Sequence, residues 1–424
     1  MAILALLSCR ERSALAPRIE LTDGEWNALA RSAVRHGVAP LVHTRLSTAA
    51  NRTNSGSEVP VQVLEAMKVY FFKTALENLR LYASLAPILR ACAEQEIGVI
   101  VLKGALLAEI VYGDRALRSM GDADLLVRRV ALARVDRILR SFGWDQPVAD
   151  DPTSPRQAQG HQLQTFVRDS ARIEVHWNIE DDDSPFAIDV DGLWRRAYPV
   201  QIAGASALAP APEDLLLHLC LHASYNHGWL QFEAGLRPLV DIAATLQHFT
   251  QRIDWDVFSR RAFDWKVQRC AWLTLTLAKG LLGADVPERV VTALAPEVVE
   301  RVVVDNAVKL ALSNYYAEVT QTLPALGRRW LTKRRQNQSV PAWVRHLLWP
   351  DVGALTAAYP SLRRAPPLRY LMHWVDLARD TLHTSLGRDG RRLASCERTR
   401  MTLAAWLEAP ATHTAESATS CALT

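Results

Sequence analysis

The stretch VLKGALLAEIVYGDRALRSMGDADLLV, residues 101–127, ends an apolar run in Lys103-Gly104, passes through a helix-like segment, and places two aspartates against Leu125-Leu126-Val127. Asp is depleted in strands, yet Asp122 and Asp124 stand where the pattern reads as one. Successive strand side chains point to opposite faces, so Asp122 and Asp124 share one face while Ala123, Leu125 and Val127 share the other. The same ruler on residues 172–178 puts Ile173, Val175 and Trp177 on an apolar face, and Arg172, Glu174, His176 and Asn178 on a polar one. If the two strands are sheet neighbours in suitable register, Glu174 joins Asp122 and Asp124 on one surface. Three carboxylates so placed repel one another unless a cation neutralises them. Hard oxygen ligands suit magnesium, which is held by a few carboxylates together with substrate phosphates. Two such ions can clamp the attacking and leaving oxygens of a phosphoryl transfer. Without metal, the repulsion predicts that Asp124→Asn is more stable than the native chain.

Around this unit the texture changes twice. Up to Glu96 the pattern is helical: Thr22-Asp23 can cap a helix through Val34, with Glu25 placed for a capping box. Residues 51–60 form a polar loop. From Val61 the residues Leu64, Met67, Phe71, Phe72, Ala75, Leu76, Leu79, Tyr82 and Leu85 recur at helical steps, and Pro87 is expected to kink or divide that helix. GVIVL at 98–102 reads as a strand buried on both faces. A helix over 104–112, the Asp122 strand, a helix over 129–142, and a hairpin within 161–179 turning at Asp169-Ser170 complete a mixed α/β unit. After Pro210-Ala211-Pro212 the chain is helical, with periodic segments near 236–249, 267–282, 287–294 and 297–317. The expected division is a helical segment 1–96, a core 97–209, a helical domain 210–408 and a disordered polar tail 409–424.

Composition limits the function classes. Of 424 residues, 49% are hydrophobic and 22% charged, the proportions of an ordinary soluble protein, and a net charge of +4 does not imply steering of polyanions. Six scattered cysteines contain no CxxC pair, which disfavours a disulfide scaffold or a cysteine zinc site and suits a reducing cytoplasm. The opening MAILALLSCRERSALA lacks a basic start and reads as a helix of the mature protein rather than a leader. No apolar stretch reaches the length of a membrane span.

Three stretches carry a resemblance: residues 101–127, then IEVHW at 173–177, then LLLHLCLHASYNHGW at 215–229. Together they resemble a bacterial family of uncharacterised nucleotidyltransferases within the DNA-polymerase-β-like superfamily, over roughly residues 98–285. The resemblance implies a nucleotidyltransferase core with a mixed sheet, flanked by helical segments. It implies two Mg²⁺ ions and transfer of a nucleoside monophosphate from an NTP, most simply ATP, with release of pyrophosphate. By position, Asp122 and Asp124 would hold both metals, and Glu174 would complete one site and help deprotonate the acceptor. Gly104 would let the backbone approach the triphosphate at a helix N-terminus, with Gly121 beside the acids. Lys103 and Arg118 would neutralise phosphate charge. The wider superfamily usually carries Gly-Ser where this chain has Gly104-Ala105, and often an aspartate where it has Glu174.

Other readings stand beside this one. The fold can also serve a catalytically silent nucleotide-binding or scaffold protein, and Lys103 and Arg118 can be plain surface cations. His218 and His222 are one helical turn apart with His227 nearby; a zinc site there lacks a third ligand and the metallopeptidase glutamate, so a hydrogen-bonded histidine face lining the cleft fits better. His176 can touch the acceptor or support Glu174. The basic, tryptophan-containing segment 328–350, with Trp330, Trp343 and Trp349, reads as a solvated helix with buried tryptophans rather than a surface for single-stranded nucleic acid. EDDDSPFAIDVD at 180–191 reads as a hydrated loop. The acceptor is a small molecule, a peptide natural product, a protein or an RNA end; the residues do not choose between them.

Overall fold

The computed structural model describes residues 2–8, 21–52, 59–146, 161–163, 165–182, 184–225, 235–297, 301–313, 348–349, 355, 359, 366–386 and 388–409. The fold is mixed α/β. Four helices come first: α1 (Ala2–Leu7), α2 (Asp23–Arg35), α3 (Ala39–Arg52) and the long α4 (Val61–Glu94). The expected capping box is present, with Thr22 and Glu25 exchanging side-chain and backbone hydrogen bonds at the start of α2. In α1, Ile3, Leu4, Leu6 and Leu7 are buried in the core.

Helix α4 runs unbroken across Pro87. The expected division there does not occur, because α4 packs laterally against α2, α3 and the sheet, and that burial outweighs one lost backbone hydrogen bond. Its apolar periodicity splits between two faces: Met67, Tyr82 and Leu85 are buried, while Phe72, Leu76 and Leu79 are exposed.

The sheet combines β1 (Ile100–Leu102), β2 (Ala123–Leu126), β3 (Phe166–Arg168), β4 (Ala171–His176), β5 (Tyr198–Ile202) and β6 (Ala205–Ala209) in the order β3-β4-β2-β1-β6-β5. Strand β1 is fully buried, as its continuous apolar run requires. It pairs antiparallel with β2 and parallel with β6, and β2 pairs parallel with β4. The β3–β4 hairpin turns at Asp169-Ser170, where Asp169 has φ of +52°. The β5–β6 hairpin has no counterpart in the sequence reading. Its two-residue turn, Ala203-Gly204, has φ of +54° and +69°, and β5 carries Pro199 at the sheet edge, where proline costs no ladder hydrogen bond.

Between β1 and β2 the chain forms a short helix α5 (Lys103–Leu106) that widens into a π-helical turn over Leu107–Val111, closed by Tyr112 N–H donating to Leu107 O at 2.9 Å. Helix α6 (Leu132–Ser141) follows β2, and α7 (Val190–Arg196) follows β4. The helices after the sheet are α8 (Pro212–Ser224), α9 (Arg237–His248), α10 (Trp255–Asp264), α11 (Gln268–Leu282), α12 (Glu288–Leu294), α13 (Arg301–Ser313), α14 (Pro366–Leu386) and α15 (Arg388–Glu408). In α8, Asp214 is fully buried and takes Arg196 from α7 at 2.9 Å and Arg261 from α10 at 2.7 Å, which fastens these three helices to one another. Buried side chains from α1 through the sheet to the later helices form one continuous core.

Some expectations fall elsewhere. Residues 328–347, His227 and the tail from 410 lie outside the described residues. Trp349, expected to be buried, is 54% exposed and meets Trp374 edge-on at 6.0 Å. Glu180 is buried, so the hydrated-loop reading fails at its first residue; burial and the Asp181 charge push its carboxyl up to about 8.

Helix α4 also aims the loop before β2. Asn78 Nδ2 donates to Arg115 O at 2.5 Å and to Arg118 O at 2.8 Å, and Tyr82 Oη donates to Ala105 O at 2.6 Å. Asn78→Ala leaves two carbonyls without that donor, a cost of about 1–3 kcal/mol for each that stays buried. The variant should melt at a lower temperature and show faster hydrogen exchange confined to residues 113–122; unchanged exchange there contradicts the positioning role.

Candidate active site

Pairing of β2 with β4 brings the acids together. Asp124 stands directly opposite Glu174, and Leu126 opposite His176, so Glu174 and His176 follow one another along the same face. On the other side of β2, Leu102 is the register partner of Asp124, and Lys103 follows it into α5. Three neighbouring strands therefore deliver a lysine, an aspartate and a glutamate to one end of the sheet. Lys103 makes this turn with φ of +38°, a region sparsely populated by residues with a side chain.

The central contact is buried. Lys103 Nζ lies 2.7 Å from Asp124 Oδ1, and His176 Nε2 lies 3.1 Å from the same oxygen and 3.7 Å from Glu174 Oε2. Lys103, Asp124 and His176 are all less than a tenth exposed. Burial alone would raise the Asp124 carboxyl, but Lys103 and His176 outweigh it and hold it well below the ordinary range. Burial works against the Lys103 ammonium, yet Asp124, Asp122 and Glu174 raise its pKa above the ordinary value. Burial lowers His176 to about 4, so at neutral pH the ring is uncharged and donates a hydrogen bond to Asp124.

The other two acids lack such compensation. Burial, then the Asp124 charge, pushes the Asp122 carboxyl up, and the same two causes push Glu174 up, with Asp122 adding to them. Thr165 Oγ1 donates to Glu174 Oε1 at 3.2 Å and leaves Oε2 facing the histidine. Ligand atoms of Asp124, Glu174 and His176 all lie within 4.8 Å of one another, a donor group that can hold a metal ion. Two oxygen donors beside a third acid whose charge is unmatched fit a hard divalent cation.

The cations do not behave as surface residues. Arg118 is buried, and its Nε and Nη2 donate to the two oxygens of Asp241 at 2.9 and 2.8 Å. Tyr112 Oη donates to the same carboxylate at 2.8 Å. The plain surface-cation reading of Lys103 and Arg118 is therefore overturned by burial and pairing. Gly104 makes room for Arg118: a Cβ there would stand 2.9 Å from Arg118 Nη1 and 3.2 Å from Met120 Cβ. Gly121 is exposed, and nothing lies within 4 Å of where its Cβ would be. His218 on α8 is buried, and burial and the Lys103 charge lower it to about 3. His222 stands with it, ring centroids 6.4 Å apart. Neither belongs to the metal-capable donor group found among the described residues.

Several contributors escaped the sequence reading. His161 stacks on His176 with ring centroids 5.3 Å apart and pairs with Asp181 at 2.5 Å. Tyr112 and Asp241 come from positions 129 residues apart, so no local pattern announces their contact.

A mixed sheet that gathers acids from adjacent strands into one donor group defines a class of arrangements able to hold a divalent metal ion. Within that class the chain belongs to the family described as uncharacterised nucleotidyltransferase, whose model matches residues 22–283. The match reaches further toward the N-terminus than the motifs do, taking in α2, α3 and α4. No curated protein and no solved structure matches the chain.

The Lys103–Asp124 pair reverses the stability expectation drawn from repulsion alone. Asp124→Asn relieves repulsion but leaves a buried ammonium without its counter-ion, which is the larger effect. The metal-free variant should lose about 3–5 kcal/mol, the usual cost of breaking a buried pair by removing one partner. The sign with pH follows from the depressed Asp124 value. Its contribution is full above the unfolded carboxylate value of about 3.9 and disappears as pH falls through the folded one. Chemical denaturation between pH 7 and pH 3 should thus show wild type losing more stability than Asp124→Asn; parallel curves contradict the pairing.

Proposed function

We propose that the protein is a magnesium-dependent nucleotidyltransferase. It transfers a nucleoside monophosphate from an NTP, ATP in the first instance, to an acceptor and releases pyrophosphate. The observation that carries this reading is the direct register of Asp124 with Glu174, beside Lys103-Gly104, in a chain of the nucleotidyltransferase family. Asp122, Asp124 and Glu174 would hold two Mg²⁺ ions, with His176 against Asp124 and Glu174. When bound, the ions supply positive charge to the attacking and leaving oxygens. The acceptor oxygen forms a bond to the α-phosphorus while the α–β bridging bond breaks and its electrons leave with pyrophosphate. Glu174 would also take the acceptor proton. Lys103 shares its charge between Asp124 and the phosphates, Arg118 adds a second cation, and Gly104 and Gly121 keep the backbone around them uncrowded.

The division into a helical segment 1–96, a core 97–209, a helical domain 210–408 and a tail 409–424 remains the working frame. In it the helical domain walls the cleft and selects the acceptor, with His218 and His222 on that side. A small molecule, a peptide natural product or a protein is the acceptor class; nucleic acid is disfavoured by the low net charge. A cytoplasmic location accords with the free, buried Cys92, Cys220 and Cys270. No described helix is long and apolar enough to cross a membrane.

A second reading, a catalytically silent nucleotide-binding or scaffold protein, draws on Lys103, which neutralises Asp124 without a metal. Asp122 and Glu174 weigh against it: a scaffold has no use for two partly buried acids whose charged forms desolvation and repulsion both disfavour.

Mass spectrometry of the purified protein incubated with each NTP, Mg²⁺ and small-molecule or protein extract should detect nucleotidylated product and pyrophosphate. Asp122→Asn and Glu174→Gln should lower turnover by orders of magnitude while melting at or above the wild-type temperature, since each removes an unmatched charge. Turnover unaffected by both variants contradicts the acid triad, and consumption of no NTP by wild type favours the silent reading.

A further inference from the structure

Helix α9 contributes two charged residues one turn apart, Arg237 and Asp241, a spacing at which such residues commonly pair with each other. Here they do not. Both oxygens of Asp241 are taken by Arg118 at 2.9 and 2.8 Å, and Tyr112 Oη takes Oδ1 as well. Arg237 forms no ion pair with any described residue, and it is only partly exposed.

Its side chain lies beside the turn between α2 and α3. Gly37, with φ of +67°, would with a Cβ stand 3.5 Å from Arg237 Cδ and 3.6 Å from Nη1. The same Cβ would stand 3.5 Å from Ser119 Oγ, which donates to Gly37 O at 3.2 Å. Arg237 therefore flanks the same glycine as Ser119, whose loop carries Arg118 and, three residues on, Asp122. Two guanidinium groups share this corner: Asp241 is taken by the first, and Asp122 acts on both at longer range without an ion pair to either among the described residues. Burial and then the Arg118 charge lower the Arg237 pKa from its ordinary value, while Asp241 and Asp122 only partly offset them. A partly buried, unmatched guanidinium beside a metal-capable acid group calls for an anion brought by a ligand.

We infer that Arg237 binds the terminal phosphates of the nucleotide, with the planar fork of its guanidinium directed at a phosphate that Arg118, locked on Asp241, is not free to grip alone. This rests on the nucleotidyltransferase reading and sharpens it. The helical part of the chain after the sheet would then supply a phosphate ligand as well as a wall, so that NTP binding draws α9 onto the loop 113–122. Arg118 becomes the residue that orients this corner through Asp241.

The test uses the full chain with Mg²⁺ and two probes, inorganic tripolyphosphate and ATP, read by calorimetry and thermal melting. Without ligand, Arg237→Gln should melt at or above wild type, because like-charge crowding is relieved. Its affinity for both probes should fall on the order of tenfold or more, and Arg237→Lys should recover part of that loss. Adenosine affinity should be unchanged. Arg237→Gln binding both probes as tightly as wild type overturns the inference and leaves the nucleotidyltransferase reading intact. So does an Arg237→Gln that melts below wild type and loses affinity for adenosine as much as for the two probes, which assigns the side chain to packing. Wild type binding neither probe overturns the underlying reading together with this one.

Discussion

Lys103 Nζ and Asp124 Oδ1 meet at 2.7 Å where β1 gives way to α5, and neither side chain reaches water to any extent. A buried charge without a partner costs several kcal/mol, so each residue makes the other tolerable. The pair also joins two backbone requirements. One end is Lys103, whose φ of +38° is unusual for a residue with a side chain, and the other is Asp124, at the register position opposite Glu174. Loosening either end frees the helix start and the acid group together.

Asp122 and Glu174 are what this pairing leaves over. With Lys103 committed chiefly to Asp124, the other acids stay protonation-prone and mutually repulsive. A second polar corner repeats the pattern with opposite sign: Arg118 takes Asp241, and Arg237 is left over. Excess negative charge stands near excess positive charge, within electrostatic reach of each other and without direct pairing. A metal–triphosphate complex carries both complements, cation and anion, and would satisfy both corners at once.

Much of this was legible in the sequence. Period-two alternation put Asp122, Asp124 and Glu174 on one surface provided that their strands are neighbours, and the sheet makes β2 and β4 neighbours with Asp124 opposite Glu174, while Asp122 stands just before β2. The segment read over 267–282 is α11, which ends in a left-handed C-cap at Gly283, whereas α10, capped by Asp254, was not among the segments read. The β5–β6 hairpin was not readable: Pro199 and the alanines of 205–209 give no strand signal, and its stability comes from pairing with β1. The partners of the charged residues were hidden as well. Nothing local indicates that Lys103 turns to Asp124 rather than to a ligand, or that Asp241 reaches back 123 residues to Arg118. A repulsion argument built on the acids alone consequently predicts the opposite sign for Asp124→Asn from the one the Lys103 pair predicts.

The central claim, that the acids and cations form one site for a metal–nucleotide complex, is tested most directly by titrating ATP into wild type in Mg²⁺ and again in EDTA. The account predicts saturable binding with Mg²⁺ that weakens by at least on the order of tenfold in EDTA, since the acids then repel the phosphates they otherwise bind through the ion. Equal affinity in the two conditions, or no binding in either, contradicts it.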